Sequence, residues 1–196
     1  MKRICVYCGS SPGASQAYAD AAHALGKAMV EQGIDLVYGG GSVGLMGMIA
    51  DAVAKNGGDV IGVIPQDLDF REVSNRSIGD LRIVNTMHER KAMMAELADG
   101  FIAMPGGYGT MDEVFEILTW SQLGMHDKPV GFLNINGYYD SLFNFLDHVL
   151  QEQFITSVFR QLILAADNPV DLIEKMGTFS HPKVDKAKEA LKKSGK

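Results

Sequence analysis

The chain's most chemically suggestive stretch is a run of glycines with an acid just behind it. Pro105-Gly106-Gly107-Tyr108-Gly109 follows the apolar run Phe101–Met104 and leads into Thr110-Met111-Asp112-Glu113. From there Met111, Val114, Phe115 and Leu118 recur at helical spacing, so a helix is expected to open at Thr110. A strand, a glycine turn and a helix start together make an anion site. Glycine lets the backbone approach a ligand closely, and free N–H groups and the positive end of the helix dipole converge on one spot. Glu113 falls in the first turn of that expected helix, beside where a phosphate would bind. A carboxylate next to a phosphate cradle points to chemistry on a phosphorylated substrate, beyond mere grip.

The elements around this turn alternate along the whole chain. Strands are expected at Arg3–Cys8, Leu36–Tyr38, Asp59–Ile64, Leu81–Val84, Phe101–Met104, Pro129–Leu133 and, as an edge, Gln161–Ala165. Helices are expected from about Ser15 to Glu31, after Gly47 to about Asn56, and at Met87–Leu97, Thr110–Leu123, Tyr139–Glu152 and Pro169–Met176. The strands are short and apolar on both faces. That pattern predicts an α/β fold, a single doubly wound, Rossmann-like parallel sheet with helices on both faces. Residues 66–80 are polar and irregular, and carry Arg71, Glu72 and Arg76; a loop of that length in a compact domain is usually functional or mobile.

A second glycine cluster, Gly39-Gly40-Gly41-Ser42-Val43-Gly44, contains the spacing G-x-G-x-x-G at Gly39, Gly41 and Gly44. The context fits a dinucleotide fingerprint poorly. Asp59, the nearest candidate acid, opens the next strand, whereas a ribose-binding acid belongs at that strand's far end. A Walker P-loop fails because Leu45 stands where its lysine should be. Tight helix–strand packing and a wall of a nucleotide pocket remain as readings. Together with Gly9-Ser10-Ser11-Pro12-Gly13, three glycine-rich loops are expected at one edge of the sheet, where ligands of such folds bind.

Composition narrows the classes. The 196 residues, 46% hydrophobic, suffice for one well-packed domain, taken as residues 1–180, followed by a basic tail at 181–196 that is expected to fray. Eighteen basic against 24 acidic side chains give a net charge of −6, which argues against nucleic acid as the main partner. No apolar run is long enough to span a bilayer, and the chain enters a strand at once, so a cytoplasmic protein without a signal peptide is expected. Cys5 and Cys8 form a C-x-x-C spacing, but along a strand they point to opposite faces and read as buried small hydrophobes. The five histidines show no metal-ligand spacing, and no metal is expected.

The motif Pro105-Gly106-Gly107-Tyr108-Gly109-Thr110-Met111-Asp112-Glu113, with Met87-His88-Glu89-Arg90-Lys91 upstream, resembles the LONELY GUY (LOG) family of cytokinin-activating phosphoribohydrolases. The likeness extends from Cys8-Gly9-Ser10-Ser11 through Gly39-Gly40-Gly41 to Trp120-Ser121-Gln122-Leu123-Gly124. The resemblance implies hydrolysis of the N-glycosidic bond of N6-substituted adenosine 5′-monophosphates, and of AMP as an open case, releasing free base and ribose 5-phosphate. It implies Arg90 and Glu113 as the catalytic pair. It implies substrate contacts from Glu72, Arg90, Lys91, Gly107, Tyr108, Gly109, Thr110, Met111, Asp112 and Glu113. It implies a homodimer, a nucleoside monophosphate as the small-molecule partner, and no cofactor.

Related proteins carry an older lysine decarboxylase label. Pyridoxal phosphate chemistry needs a Schiff-base lysine and a partner for the ring nitrogen, and Lys27, Lys55, Lys91 and Lys128 show no such setting. Two alternatives stand beside the hydrolase: a non-catalytic nucleotide carrier on the same fold, and an enzyme acting on plain AMP or a deoxynucleotide. Glu113 as a first-turn acid favoured only by the helix dipole, and Arg90 as a surface charge, are the bland readings of the pair.

Overall fold

A computed structural model describes residues 1–69 and 77–182 of the chain. Its strands are β1 (Arg3–Tyr7), β2 (Asp35–Tyr38), β3 (Val60–Pro65), β4 (Asp80–Val84), β5 (Gly100–Ala103), β6 (Val130–Leu133) and β7 (Ile163–Ala166). All pair in parallel in one sheet of order β4-β3-β2-β1-β5-β6-β7. The helices are α1 (Gln16–Glu31), α2 (Gly44–Lys55), α3 (Gln66–Asp69), α4 (Met87–Leu97), α5 (Tyr108–Gln122), α6 (Asp140–Gln151), α7 (Ser157–Arg160) and α8 (Pro169–Gly177). This is the doubly wound α/β fold expected of alternating strands and helices.

Each strand presents alternate residues to opposite faces, and each face has its own core. Ile4, Val6, Leu36 and Ile102 pack with Leu25 and Met29 of α1, Ile49 and Val53 of α2, and Leu172 and Met176 of α8. Cys5, Tyr7, Phe101 and Phe132 pack with Met94 of α4, Val114 and Ile117 of α5, and Tyr139. Cys5 and Cys8 lie buried as free thiols in these two different cores, as their spacing on a strand requires. Burial pushes both thiols well above the usual cysteine range, so neither is a reactive thiolate.

The order of strands fixes where a ligand can bind. The sheet grows from β1 outward through β2 on one side and through β5 on the other. The helix after β1 packs on one face and the helix after β5 on the other, so their connecting loops part above the β1–β5 junction and leave a crevice.

Several boundaries differ from the sequence reading. Helix α5 begins at Tyr108, two residues earlier than expected, with Gly107 as its N-cap. Tyr108 and Gly109 had read as turn residues, but nothing in the fold forbids either a helical conformation. Glu113 therefore lies in the second turn, and α5 has no acid in its first turn. The irregular stretch after β3 begins with the helical turn α3, while residues 70–76, including Arg71, Glu72 and Arg76, lie outside the described residues, as does the tail from 183 onward. A 3-10 turn at Ile135–Gly137 and the short helix α7 were too brief for periodicity to reveal.

Candidate functional site

Two hollows open at the β1–β5 crevice. One, of about 210 Å³, is lined by Cys8, Gly9, Ser10, Met46, Arg90, Gly107 to Thr110, and Glu113. The other, of about 310 Å³, lies across the Gly9–Ser10 and Gly107 wall and is mainly apolar, with Pro12, Tyr18, Leu45, Pro105 and Tyr138 around it. Arg90 and Glu113 stand only in the first, which is where a reaction can occur.

Arg90 comes from α4, a mostly polar helix with only Arg90, Met94 and Ala95 buried. Its guanidinium is tied down on two sides. Nε donates to the carbonyl of Val63 at 3.0 Å, and Nη2 donates to the carbonyl of Gly39 at 3.1 Å. Its Nη1 faces Glu113 Oε1 at 3.6 Å, with both side chains largely buried. That separation makes an ion pair but exceeds hydrogen-bond length, so the two charges face the cleft without locking together. Burial away from water denies Arg90 the role of a surface charge. Glu113, beyond the first turn of α5, sits outside the reach of the dipole effect that would explain a merely favourable acid.

The start of α5 is built to leave its amides available. Gly107 makes no side-chain cap, so the first N–H groups of the helix lack the partner that a Ser or Asp cap would supply. The glycines here differ in purpose. A Cβ at Gly106 would overlap Thr110 Oγ1 and crowd the Gly9 amide, so packing demands that glycine. At Gly107 and Gly109 a Cβ would meet nothing within 4 Å, and neither lies at positive φ. Neither packing nor backbone conformation requires these two glycines, and their bareness leaves the backbone open to close approach.

Lys91 turns to the outer side of α5, where its ammonium meets Asp112 Oδ2 and Glu116 Oε2, each at 3.1 Å. Burial alone would lower its pKa, but hydrogen bonds to Glu116 and Asp112 outweigh that and raise it. Lys91 thus braces α4 against α5, and Asp112 and Glu116 belong to that brace. Met111 packs against the core on the α5 face of the sheet. Tyr108 is 96% exposed at the mouth of the cleft. The structure so brings Arg90, Gly107 to Thr110 and Glu113 together, sets Lys91 and Asp112 beside them, and leaves Glu72 outside the described residues.

The second glycine cluster serves Arg90 and packing. A Cβ at Gly39 would overlap Arg90 Nη2, and one at Gly44 would strike the Ser10 backbone. Gly39 thus keeps a place for the guanidinium. Met46, on α2, joins the cleft wall.

Two residues of the site went unnoticed in the sequence. The Tyr139 hydroxyl donates to the Met104 carbonyl at 2.6 Å, and the Tyr138 hydroxyl donates to the Gly106 carbonyl at 2.7 Å. The adjacent tyrosines after β6, in a loop that returns to the same edge, were the available signal.

The family model described as "Possible lysine decarboxylase" matches residues 46–176. The cytokinin riboside 5′-monophosphate phosphoribohydrolase LOG of Oryza sativa subsp. japonica is 54% identical over 178 residues, 91% of this chain and 74% of that protein. The enzyme of the same name numbered LOG4 in Arabidopsis thaliana is 52% identical over 178 residues, 91% of this chain and 83% of that protein. The chain belongs to the LOG family. The motifs that carry the resemblance are those that meet in the cleft.

Solved structures extend the likeness in fold alone. A molybdenum cofactor binding protein from Rippkaea orientalis superposes with a TM-score of 0.68 at 23% identity, covering 91% of this chain and 97% of that one. The molybdenum cofactor carrier protein of Chlamydomonas reinhardtii gives a TM-score of 0.68 at 20% identity, with 91% and 99% covered.

The decarboxylase description of the family model finds no matching lysine in the cleft among the described residues of this LOG chain. Lys91 is held by two carboxylates, Lys128 donates to the Ala95 carbonyl, and Lys27 and Lys55 pair with Glu31 and Asp51 on the surface. None stands in the cleft as an amine ready to form a Schiff base.

Proposed function

We propose that this protein hydrolyses the N-glycosidic bond of N6-substituted adenosine 5′-monophosphates, the cytokinin riboside monophosphates. It releases the free base and ribose 5-phosphate, and AMP is the related substrate to compare. The observation that carries this reading is the buried Arg90–Glu113 pair, 3.6 Å apart, directly behind the uncapped start of α5. Relatives more than 50% identical bear the name of that activity.

The chemistry follows from the placement. The amides of Gly107 to Thr110 hold the 5′-phosphate, aided by the helix dipole, and so fix the ribose over Glu113. As the C1′–N9 bond breaks, positive charge develops on the ribose, and the Glu113 carboxylate stabilises it. The departing purine takes the electron pair and a proton, and water supplies the hydroxyl that completes C1′. Arg90, held by the ends of β2 and β3, keeps Glu113 oriented and offers a fixed positive charge to the leaving base. These residues need no metal or cofactor for those steps. Glu72, between β3 and β4 in sequence, is proposed as a further contact to the substrate, with Tyr108 at the mouth of the site, while Lys91 and Asp112 through their brace and Met111 through the core are proposed to shape the site indirectly.

The working unit is proposed to be a homodimer. Helix α6 has a strongly one-sided apolar face, yet only Leu146 in it is fully buried, and Phe145 and Phe154 stand exposed. Leu146 borders, with Phe115 and Leu118 of α5 and Phe159 of α7, an apolar groove that a second copy would cover. The two free cysteines suit a reducing cytoplasm.

The test is a chromatographic assay of the purified protein with AMP and isopentenyladenosine monophosphate, beside Glu113→Gln and Arg90→Ala. Free base from the wild type, lost in both variants, is the expected result. A wild type that binds both nucleotides and releases base from neither would overturn the hydrolase reading in favour of a carrier.

A further inference from the structure

We infer that Tyr138 is a positioning residue for the phosphate site, holding the Gly106–Gly107 peptide in the one orientation that serves an anion. The inference rests on the reading that this turn binds the 5′-phosphate, and it names a residue outside the family motif.

The geometry begins with the peptide plane. In a trans peptide the C=O and N–H point in opposite directions, and the described residues contain no cis bond. The carbonyl of Gly106 and the amide of Gly107 belong to the same plane. Whatever holds the one therefore aims the other. Between two glycines such a plane turns over at little steric cost, because neither side carries a Cβ. Turned over, it would present a carbonyl oxygen to the anion instead of an N–H.

Three successive carbonyls along this turn are each held by a donor. Tyr139 hydroxyl holds Met104, the Gly9 amide holds Pro105 at 3.1 Å, and Tyr138 hydroxyl holds Gly106 at 2.7 Å. The first two pin the end of β5 to its neighbours. The third pins the one plane of this turn that is flanked by glycine on both sides. Tyr138 approaches from the apolar hollow, so the Gly107 amide is turned the other way, toward the cleft of Arg90 and Glu113.

Tyr138 is itself held for this task. Asn136 and Gly137 both take positive φ, which swings the chain back over the sheet edge. The Asn134 side chain accepts from the Tyr139 amide at 2.7 Å and donates to Asp140 at 2.8 Å. The Tyr138 ring is then met edge-on by Tyr18 at 5.8 Å and Tyr139 at 4.9 Å. Yet the ring remains 42% exposed, where water could hydrate the Gly106 carbonyl as well. A hydrogen bond there adds little to fold stability, and its effect is to select an orientation.

The experiment compares Tyr138→Phe, which keeps the ring and removes only the hydroxyl, with the wild type. Three quantities are read: KM and kcat on isopentenyladenosine monophosphate, the Kd of ribose 5-phosphate by calorimetry, and the melting temperature without ligand. The expected result is KM and Kd both raised about fivefold, as loss of one oriented hydrogen bond implies, with kcat within about twofold and the melting temperature unmoved. An unchanged Kd, or a fall in melting temperature with kcat falling alongside, would overturn the inference. A wild type that binds no ribose 5-phosphate would overturn it too. If the wild type binds ribose 5-phosphate but releases no base, the hydrolase reading fails while the Kd comparison still decides the role of Tyr138.

Discussion

The Arg90 guanidinium donates to the carbonyl of Gly39 at 3.1 Å, and any side chain at Gly39 would occupy the space of that nitrogen. The residue just after β2 is thus small because a charge 51 positions later in sequence lies against it in space. Gly39→Ala should dislodge Arg90 from Glu113 without unfolding the sheet. A displacement of about 1 Å in a catalytic group costs on the order of a hundredfold in rate. Turnover should fall by about that factor while circular dichroism stays native, and an unaffected kcat would show that Arg90 tolerates another seat.

Gly109 separates the needs of fold and site. It lies in α5, away from positive φ, with open space around its Cβ position. Alanine at such a helical position stabilises by about 0.5–1 kcal/mol. Gly109→Ala should therefore melt at or above the wild-type temperature and yet bind ribose 5-phosphate more weakly. Opposite signs in the two measurements are the expected signature, and equal or tighter binding would mean that no anion approaches this residue.

Tyr139 contrasts with its neighbour. It is 1% exposed, and its hydroxyl holds a buried carbonyl at 2.6 Å. Tyr139→Phe leaves that carbonyl without its donor and should cost about 1–3 kcal/mol in urea unfolding. A change under about 0.5 kcal/mol would imply that water reaches Met104.

The pH dependence of stability should show the mark of His126. Its Nδ1 accepts from the Lys128 amide at 3.2 Å, so its Nε2 is the atom that donates to the Ile117 carbonyl at 3.0 Å. Burial lowers its pKa, with the nearby Lys128 and His181 acting the same way against the hydrogen bond to Ile117. The folded state holds the ring neutral, and the unfolded chain binds the proton more readily. This contribution is complete above the unfolded value of about 6.5 and is lost as pH falls through the lower folded value. Denaturation midpoints should decline below about pH 6.5 in the wild type, and less steeply in His126→Gln. Parallel curves would remove His126 from the account.

Much of this molecule was legible before its structure. The alternation of short apolar strands with helices gave the sheet and both its faces, because burial on two sides leaves a signature in composition. Pro105 to Glu113 and Arg90 announced themselves by residue type. What escaped was set by tertiary contact. Whether Gly39 served a dinucleotide, packing or a pocket wall turned on a guanidinium 51 positions later, invisible to any local window. Tyr139 reads as the start of an amphipathic helix and Tyr138 carries no local signal, since nothing in a tyrosine reveals which carbonyl its hydroxyl will find. Helix α5 was started late because glycines were read as turn formers, although Gly107 caps the helix and Gly109 lies within it. The resemblance implies a substrate contact from Lys91, and the structure pairs it with Asp112 and Glu116.

Arg90's bonds to Val63 and Gly39 also bear on when disorder is given up. A free arginine loses about 2 kcal/mol of rotamer freedom when it is immobilised. Here that loss falls once, as the chain folds, because strand ends hold the guanidinium whether or not a nucleotide is present. Each arriving substrate meets a charge already at rest, and its binding energy stays available for the ribose and the bond to be broken.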